Sequence, residues 1–117
     1  MHEISLVRNI FRTLEATFSP EELSQIEVIH LKVGLLSNVE PTLMQNAFEA
    51  VTATEQPGFQ NSRLQIEVLP IQIHCADCNL RSDIQNYKFV CSRCGRPNNN
   101  VVQGMELLIS KVVFDSN

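Results

Sequence analysis

Residues 75–94 read CADCNLRSDIQNYKFVCSRC, and this stretch contains every cysteine of the 117-residue chain. The cysteines form two Cys-x2-Cys pairs, Cys75 with Cys78 and Cys91 with Cys94, separated by twelve residues. Each pair places two thiolates on one tight turn, and the loop between the pairs can bring the two turns face to face around a tetrahedral ion. The spacing therefore predicts a four-cysteine metal site, and it leaves no cysteine for catalysis.

The residues that follow each pair also fit a metal-binding knuckle. Asn79 and Gly95 come directly after the second cysteine of each pair, where the turn often needs a positive φ that asparagine and glycine tolerate. Zinc is the metal that this spacing favours. Iron in a rubredoxin-like electron carrier stays open as an alternative, since it accepts the same four sulfurs. The polar loop offers little apolar shielding for a redox centre; its polar residues are Asn79, Arg81, Ser82, Asp83, Gln85, Asn86 and Lys88.

Two disulfides in a secreted domain are the other interpretation of four cysteines. The opening Met1-His2-Glu3-Ile4 carries no apolar signal stretch, and the chain contains no transmembrane run. We therefore expect a cytoplasmic protein without membrane insertion, whose reduced thiols bind zinc.

Length, composition and charge limit the classes of function. At 117 residues and 44% apolar content, the chain suits one compact domain plus a small accessory module. The net charge of −4 disfavours general nucleic-acid binding. A zinc-ribbon module for nucleic-acid or protein interaction is the alternative function, with a local basic and aromatic face formed by Arg81, Tyr87, Lys88, Phe89, Arg93 and Arg96. We find no Ser/His/Asp set, phosphate loop or paired carboxylates, so we expect no enzyme activity.

Hydrophobic periodicity predicts two main helices. The first spans Ile4 to Phe18, with apolar residues at helical spacing and charged residues between them. The second starts at Glu40-Pro41, and its expected apolar stripe is Leu43, Met44, Ala47, Phe48 and Val51. Between the two helices, Ser19-Pro20-Glu21-Glu22 has the pattern of a capping box that opens a short helix.

Three segments predict strands. Ile29, Leu31, Val33 and Leu35 alternate with His30, Lys32 and Gly34, which indicates a strand with one buried face. The other two strands are predicted at Leu64 to Val68 and at Met105 to Phe114, before and after the cysteine segment. We expect these two strands to pair with each other.

The predicted elements give an α+β fold, with a small three-stranded sheet, two main helices and an inserted zinc-ribbon module. We assign residues 1–70 and 104–117 to the α+β domain and residues 71–103 to the zinc-binding domain. A structural zinc site can supply on the order of 10 kcal/mol to a segment that is too short for its own core.

The first three residues offer a second set of metal ligands. The Met1 amine, the His2 backbone nitrogen and the His2 imidazole can close fused chelate rings, with the Glu3 amide or carboxylate as a fourth donor. Planar, nitrogen-rich coordination of this kind suits Ni(II) or Cu(II). The alternative is a solvated first helical turn, with Glu3 placed favourably near the helix dipole.

Several motifs together resemble the hydrogenase nickel-incorporation family of the HypA/HybF type. These motifs are Met1-His2-Glu3-Ile4-Ser5-Leu6, Lys32-Val33-Gly34, Val39-Glu40-Pro41, the two cysteine pairs and Gly104-Met105-Glu106-Leu107. The resemblance runs essentially from end to end of the chain.

The resemblance implies a nickel metallochaperone and not an enzyme. Members of that family bind Ni(II) through an N-terminal Met-His-Glu, which here assigns nickel to His2 as the essential side chain, assisted by Met1 and Glu3. The structural zinc of the family falls on Cys75, Cys78, Cys91 and Cys94. The implied partners are a nickel-delivering GTPase and the large subunit of [NiFe]-hydrogenase, and in some bacteria the family also serves urease maturation.

Three other polar residues lie close to these motifs. Glu40 resembles an acidic position near the nickel site of the family, although we favour a helix-capping role for it. His74 adjoins Cys75, where it could replace a thiolate or act as a surface or outer-sphere group. His30 lies on the polar face of its strand, and we assign it no role.

Overall fold

The computed structural model describes residues 2–115, and of His2 it describes only the backbone. The helices are α1 (His2–Thr17), α2 (Pro20–Leu23) and α3 (Pro41–Thr54), with a 3-10 helix at Pro57–Phe59. The strands are β1 (Ile26–Gly34), β2 (Arg63–Leu69), β3 (Gln72–Cys75), β4 (Leu80–Asp83), β5 (Val101–Gln103) and β6 (Leu107–Phe114).

The first two helices form as their sequences predict. In α1, the residues at helical spacing face the core; Val7, Ile10, Phe11 and Leu14 are all buried. At the start of α2, Ser19 Oγ accepts a hydrogen bond from Glu22 N at 3.2 Å, and Glu22 Oε1 accepts one from Ser19 N at 2.8 Å. These reciprocal bonds satisfy amides that lack intrahelical partners, so the predicted capping box is confirmed.

Helix α3 begins with a side-chain cap. Glu40 Oε2 accepts a hydrogen bond from Leu43 N at 3.0 Å, and its charge lies at the positive end of the helix dipole. The apolar stripe is confirmed at its other four positions; Met44, Ala47, Phe48 and Val51 are buried. The prediction for Leu43 is wrong, because this residue of the first turn is 44% exposed.

The larger sheet has the strand order β2-β1-β6. β1 pairs with β2 in parallel and with β6 antiparallel, so Leu31 lies between Ile66 and Ile109. The expected pairing between the strands that flank the cysteine segment is therefore wrong, because β1 separates them. The physical reason is α3, a crossover helix that returns the chain to lay β2 beside β1 in parallel.

The main core lies between this sheet and the two long helices. The ring of Phe11 on α1 stacks on Phe48 of α3 at a centroid distance of 5.7 Å and contacts Phe59 at 4.7 Å. Full burial of one such side chain contributes about 1.5–3 kcal/mol. Leu35, predicted on the buried face of its strand, is exposed because it lies just beyond the end of β1.

The cysteine-containing segment builds a second, smaller sheet. Its strand order is β4-β3-β5, and β3 is antiparallel to both neighbours. A separate cluster of Ile71, Ile73 and Ile84 lies beneath it. The two sheets with their helices confirm the predicted α+β fold. Within residues 2–115, every helix is too short or too polar to cross a bilayer.

The two sheets meet at a close contact between backbone segments. Gly34 N donates to Glu106 O at 2.7 Å, and Leu36 N donates to Gly104 O at 2.7 Å. A Cβ at Gly34 would lie 2.1 Å from the carbonyl atoms of Gly104. The absence of a side chain at residue 34 is thus what allows the end of β1 to touch the segment between β5 and β6.

Candidate metal centre

Two short turns present the four cysteines. Cys75 is the last residue of β3, and Cys78 lies in the turn that leads into β4. Asn79 and Gly95, which follow the two pairs, have φ angles of +51° and +73°. The predicted left-handed residue is thus confirmed after each cysteine pair, and both turns have the backbone form expected of metal knuckles.

The four sulfurs form one cluster. Every Sγ lies within 4.8 Å of the other three, and the Sγ atoms of Cys75 and Cys94 are 3.9 Å apart. A tetrahedral zinc with Zn–S bonds of about 2.3 Å requires sulfur separations of about 3.8 Å. All four cysteines are free thiols. A single cluster of this size fits one metal ion and not two separate disulfides, whose sulfurs would bond at about 2.05 Å.

The pKa values of two of the thiols are shifted in opposite directions. Backbone N–H groups of Cys94 and Arg93 lower the pKa of Cys91 to about 6, and Arg93 N donates to Cys91 Sγ at 3.4 Å. Burial, followed by hydrogen bonds with the other three thiols, raises the pKa of Cys78 to about 12. Four adjacent thiolates repel one another unless a cation lies between them. The cluster is therefore suited to a divalent metal, which binds thiolates and displaces their protons.

A serine pair braces the second knuckle. Ser82 on β4 is buried, its Oγ lies 2.9 Å from Ser92 Oγ, and it accepts a hydrogen bond from Ser92 N at 3.1 Å. These bonds attach the turn of Cys91 and Cys94 to β4. From the sequence alone, Ser82 is one of the polar loop residues. Its one sequence signal is its place between Leu80 and Ile84 in an alternating pattern.

Two asparagine side chains form hydrogen bonds with the backbone of His74. The backbone oxygen of His74 accepts hydrogen bonds from Asn98 Nδ2 at 3.1 Å and from Asn100 Nδ2 at 3.3 Å. The His74 ring places Nε2 3.3 Å from Asn79 Oδ1. The ring therefore contacts the first knuckle through Asn79, which favours the outer-sphere role over the replacement of a thiolate.

The second predicted site falls mostly outside the described residues. Met1 and the His2 side chain lie outside them, so the nickel assignment stays a prediction. Glu3 is 4% exposed in the first turn of α1. The alternative of a solvated Glu3 is therefore wrong, because the helix entry packs this residue against the protein.

The remaining candidates have defined positions. Glu40 contacts the Leu43 amide, which favours its capping role. His30 is half-buried on β1. Of the two aromatics in the proposed basic face, Tyr87 is 61% exposed, whereas Phe89 is half-buried against the cluster of Ile71, Ile73 and Ile84. Tyr87 is thus the more accessible of the two aromatic rings of the ribbon.

Comparison with known proteins gives one consistent result. A family described as hydrogenase/urease nickel incorporation, metallochaperone, HypA matches residues 1–114. A hydrogenase maturation factor HypA from Desulfitobacterium hafniense is 32% identical over 112 residues, covering 96% of each chain. One from Moorella thermoacetica is 30% identical over 109 residues, covering 93% of this chain and 95% of the relative.

Two solved structures share the fold. The solution structure of a HypA protein has a TM-score of 0.72 at 23% identity, covering 100% of this chain and 98% of the other. The solution structure of the Ni metallochaperone HypA from Helicobacter pylori has a TM-score of 0.66 at 23% identity, covering both chains fully. These likenesses extend over the whole chain and show that the fold is shared.

Proposed function

The chain belongs to the HypA family of hydrogenase/urease nickel-incorporation metallochaperones, and on that premise we propose that it carries Ni(II) at its N-terminus. We propose His2 as the essential ligand, with the Met1 amine and Glu3 assisting. The observation that carries the proposal is the family match over residues 1–114, which includes both the N-terminal Met-His-Glu and the four cysteines.

We propose Zn(II) as the resident metal of the four cysteines. Support comes from the sulfur separations and from the two knuckle turns, which together fit a closed tetrathiolate site. Bound zinc would stabilise a segment whose own core is three isoleucines. Iron accepts the same ligands, and a red colour of the purified protein would identify it.

A terminal nickel site suits a carrier. A carrier must capture the ion and then release it, and a chain end with few side-chain donors has fewer bonds to break than a buried cage. Protons compete with metal for imidazole, so nickel affinity should fall as the pH drops through about 6.5, the ordinary pKa of histidine.

We further propose that the protein works in the cytoplasm with a nickel-delivering GTPase and serves the large subunit of [NiFe]-hydrogenase, with urease maturation as a second client in some bacteria. Any nucleotide hydrolysis then belongs to the partner, and this chain is not an enzyme. The proposed division of labour assigns nickel to residues 1–70 and 104–117 and zinc to residues 71–103.

The test is a calorimetric Ni(II) titration of untagged, zinc-loaded protein beside its His2→Ala variant. We expect nickel binding to be lost in the variant while zinc content and helical signal are retained. His30→Ala is the matched control, because it removes an imidazole from the sheet and should leave nickel affinity unchanged. Unchanged affinity in His2→Ala would exclude the terminal site.

A second measurement tests whether the Met1 amine is a nickel ligand. A version with an uncleaved N-terminal extension should bind nickel more weakly, because the extension converts the Met1 amine into an amide. Equal affinity with and without the extension would remove Met1 from the site.

A further inference from the structure

Residues 85–88 form the hairpin tip, where a tyrosine with an exposed ring has an unfavourable backbone conformation. Asn86 and Tyr87 have φ angles of +54° and +59°. Lys88 N closes the turn by donating to Gln85 O at 3.0 Å. Two successive positive φ angles are the pattern of a type I′ turn, whose second central position favours glycine. A residue as bulky as tyrosine therefore raises the free energy of the folded turn.

No contact within the described residues compensates for this strain. The Tyr87 side chain is 61% exposed, and among residues 2–115 its ring and hydroxyl have no stacking or hydrogen-bonding partner. On either side of the tip, Ile84 and Phe89 pack into the small core and hold the turn in place. An exposed aromatic on an anchored turn is suited to contact with another molecule.

The segment around the tip is cationic in an otherwise acidic chain. Residues 79–96 contain four of the nine Lys and Arg residues but one of the thirteen Asp and Glu residues. Arg96 is paired with Asp77 at 3.1 Å. Arg81, Lys88 and Arg93 are exposed, and none has an ion pair among the described residues. Four thiolates around a divalent ion carry net negative charge and Asp77 balances Arg96, so the positive charge is confined to the exposed side chains of Arg81, Lys88 and Arg93.

We propose that the hairpin tip docks on an acidic surface of another protein. Tyr87 would supply the contact that becomes buried, and Arg81, Lys88 and Arg93 would supply charge complementarity. Single-stranded nucleic acid fits less well, because its binding uses successive aromatic rings and Phe89 is half-buried against the small core. The proposal does not depend on nickel binding at the N-terminus.

The first test is an NMR titration of the full-length, zinc-loaded protein with a capped hexaglutamate peptide. We expect saturable amide shifts confined to residues 81–93, with a Kd on the order of millimolar. Arg81→Glu combined with Lys88→Glu should weaken binding about tenfold. The matched control, Arg12→Glu combined with Arg63→Glu, makes the same charge change outside the ribbon and should leave the Kd unchanged. Equal weakening in the control would overturn the proposal.

The second test separates docking from folding. Tyr87→Gly gives the Asn-Gly pair that type I′ turns favour, so we expect a higher thermal midpoint together with weaker hexaglutamate binding. Tyr87→Phe keeps the ring and the strain and should leave both values unchanged. A lower midpoint in Tyr87→Gly would assign the tyrosine to the fold. The proposal would be overturned by a lower midpoint in Tyr87→Gly or by unchanged hexaglutamate binding in that variant. It would also be overturned if a hexathymidylate strand bound more tightly at the same amides.

Discussion

Substitution of Gly34 by alanine should be among the most damaging single changes in this protein. The added Cβ would lie 2.1 Å from the carbonyl carbon and oxygen of Gly104 and 2.6 Å from Met105 N. Ordinary van der Waals contact begins at 3.4 Å, so the two segments must separate by about 1.3 Å. The obstructing atoms are backbone and cannot rotate away.

The separation would break the hydrogen bonds that join the two sheets. Gly34 N–Glu106 O and Leu36 N–Gly104 O are both 2.7 Å long, and lengthening them by that amount removes both. Each buried bond that is left unmade costs about 1–3 kcal/mol, so the expected destabilisation from the two bonds is about 2–6 kcal/mol. This is a large share of the roughly 5–15 kcal/mol by which domains are stable.

Urea unfolding of the zinc-loaded protein, followed by circular dichroism, measures this loss. The midpoint should fall by about 1 M or more. Two glycines serve as controls: Gly58→Ala adds a methyl group in open space and should be near neutral. Gly95→Ala also meets no atom, but its φ of +73° should cost about 1–2 kcal/mol. If the free energy of unfolding of Gly34→Ala lies within about 1 kcal/mol of the parent's value, the loss is smaller than that expected for two broken bonds. The two segments then separate easily, and the reasoning is refuted.

Three further predictions concern a helix cap, an ion pair and the metal. Glu40→Ala should lower stability by about 1 kcal/mol in urea unfolding, because the Leu43 amide loses its acceptor; no loss would mean that water replaces the cap. The Arg8 side chain, by hydrogen bonding and then by charge, holds the pKa of Glu55 below its usual 4.5. The stability from this exposed pair is therefore present above pH 4.5 and is lost as the pH falls through the lowered pKa. An NMR titration should show the ordinary pKa in Arg8→Ala, and an unchanged value would contradict the ion pair. Chelation of the metal should remove amide protection from residues 72–103 while the helical signal remains; simultaneous loss of both would show one cooperative unit.

Local patterns in the chain predicted most of the elements. The spacing of apolar residues in α1 and α3 was sufficient because each helix buries one stripe, and a stripe is a property of consecutive residues. The cap at Ser19 was readable for the same reason, since both partners of its hydrogen bonds lie within four residues. The positions that failed, Leu35 and Leu43, lie near the ends of elements, where neighbours in space decide the exposure.

The sequence predicted the ligands of the candidate metal centre but not the hydrogen bonds that hold its turns in place. Cysteine spacing identifies the sulfurs because thiolates have few alternative roles at that spacing. Ser82 and Asn98 gave no such signal, because serine and asparagine are common in loops and their partners lie far away in sequence. The proposed nickel ligands come from the first three residues alone, and neither fold nor packing added to that prediction.

By itself, the sequence determined the three α-helices, the strands β1, β2 and β6, which cysteines cluster, and the family to which the chain belongs. These properties depend on short-range periodicity and on residue chemistry. The tertiary structure alone decided the order β2-β1-β6, the backbone contact between Gly34 and Gly104, and the isolation of Tyr87 at the hairpin tip. Each of these depends on which segments of the chain meet in space, and pairing between distant segments leaves no periodic trace in either one.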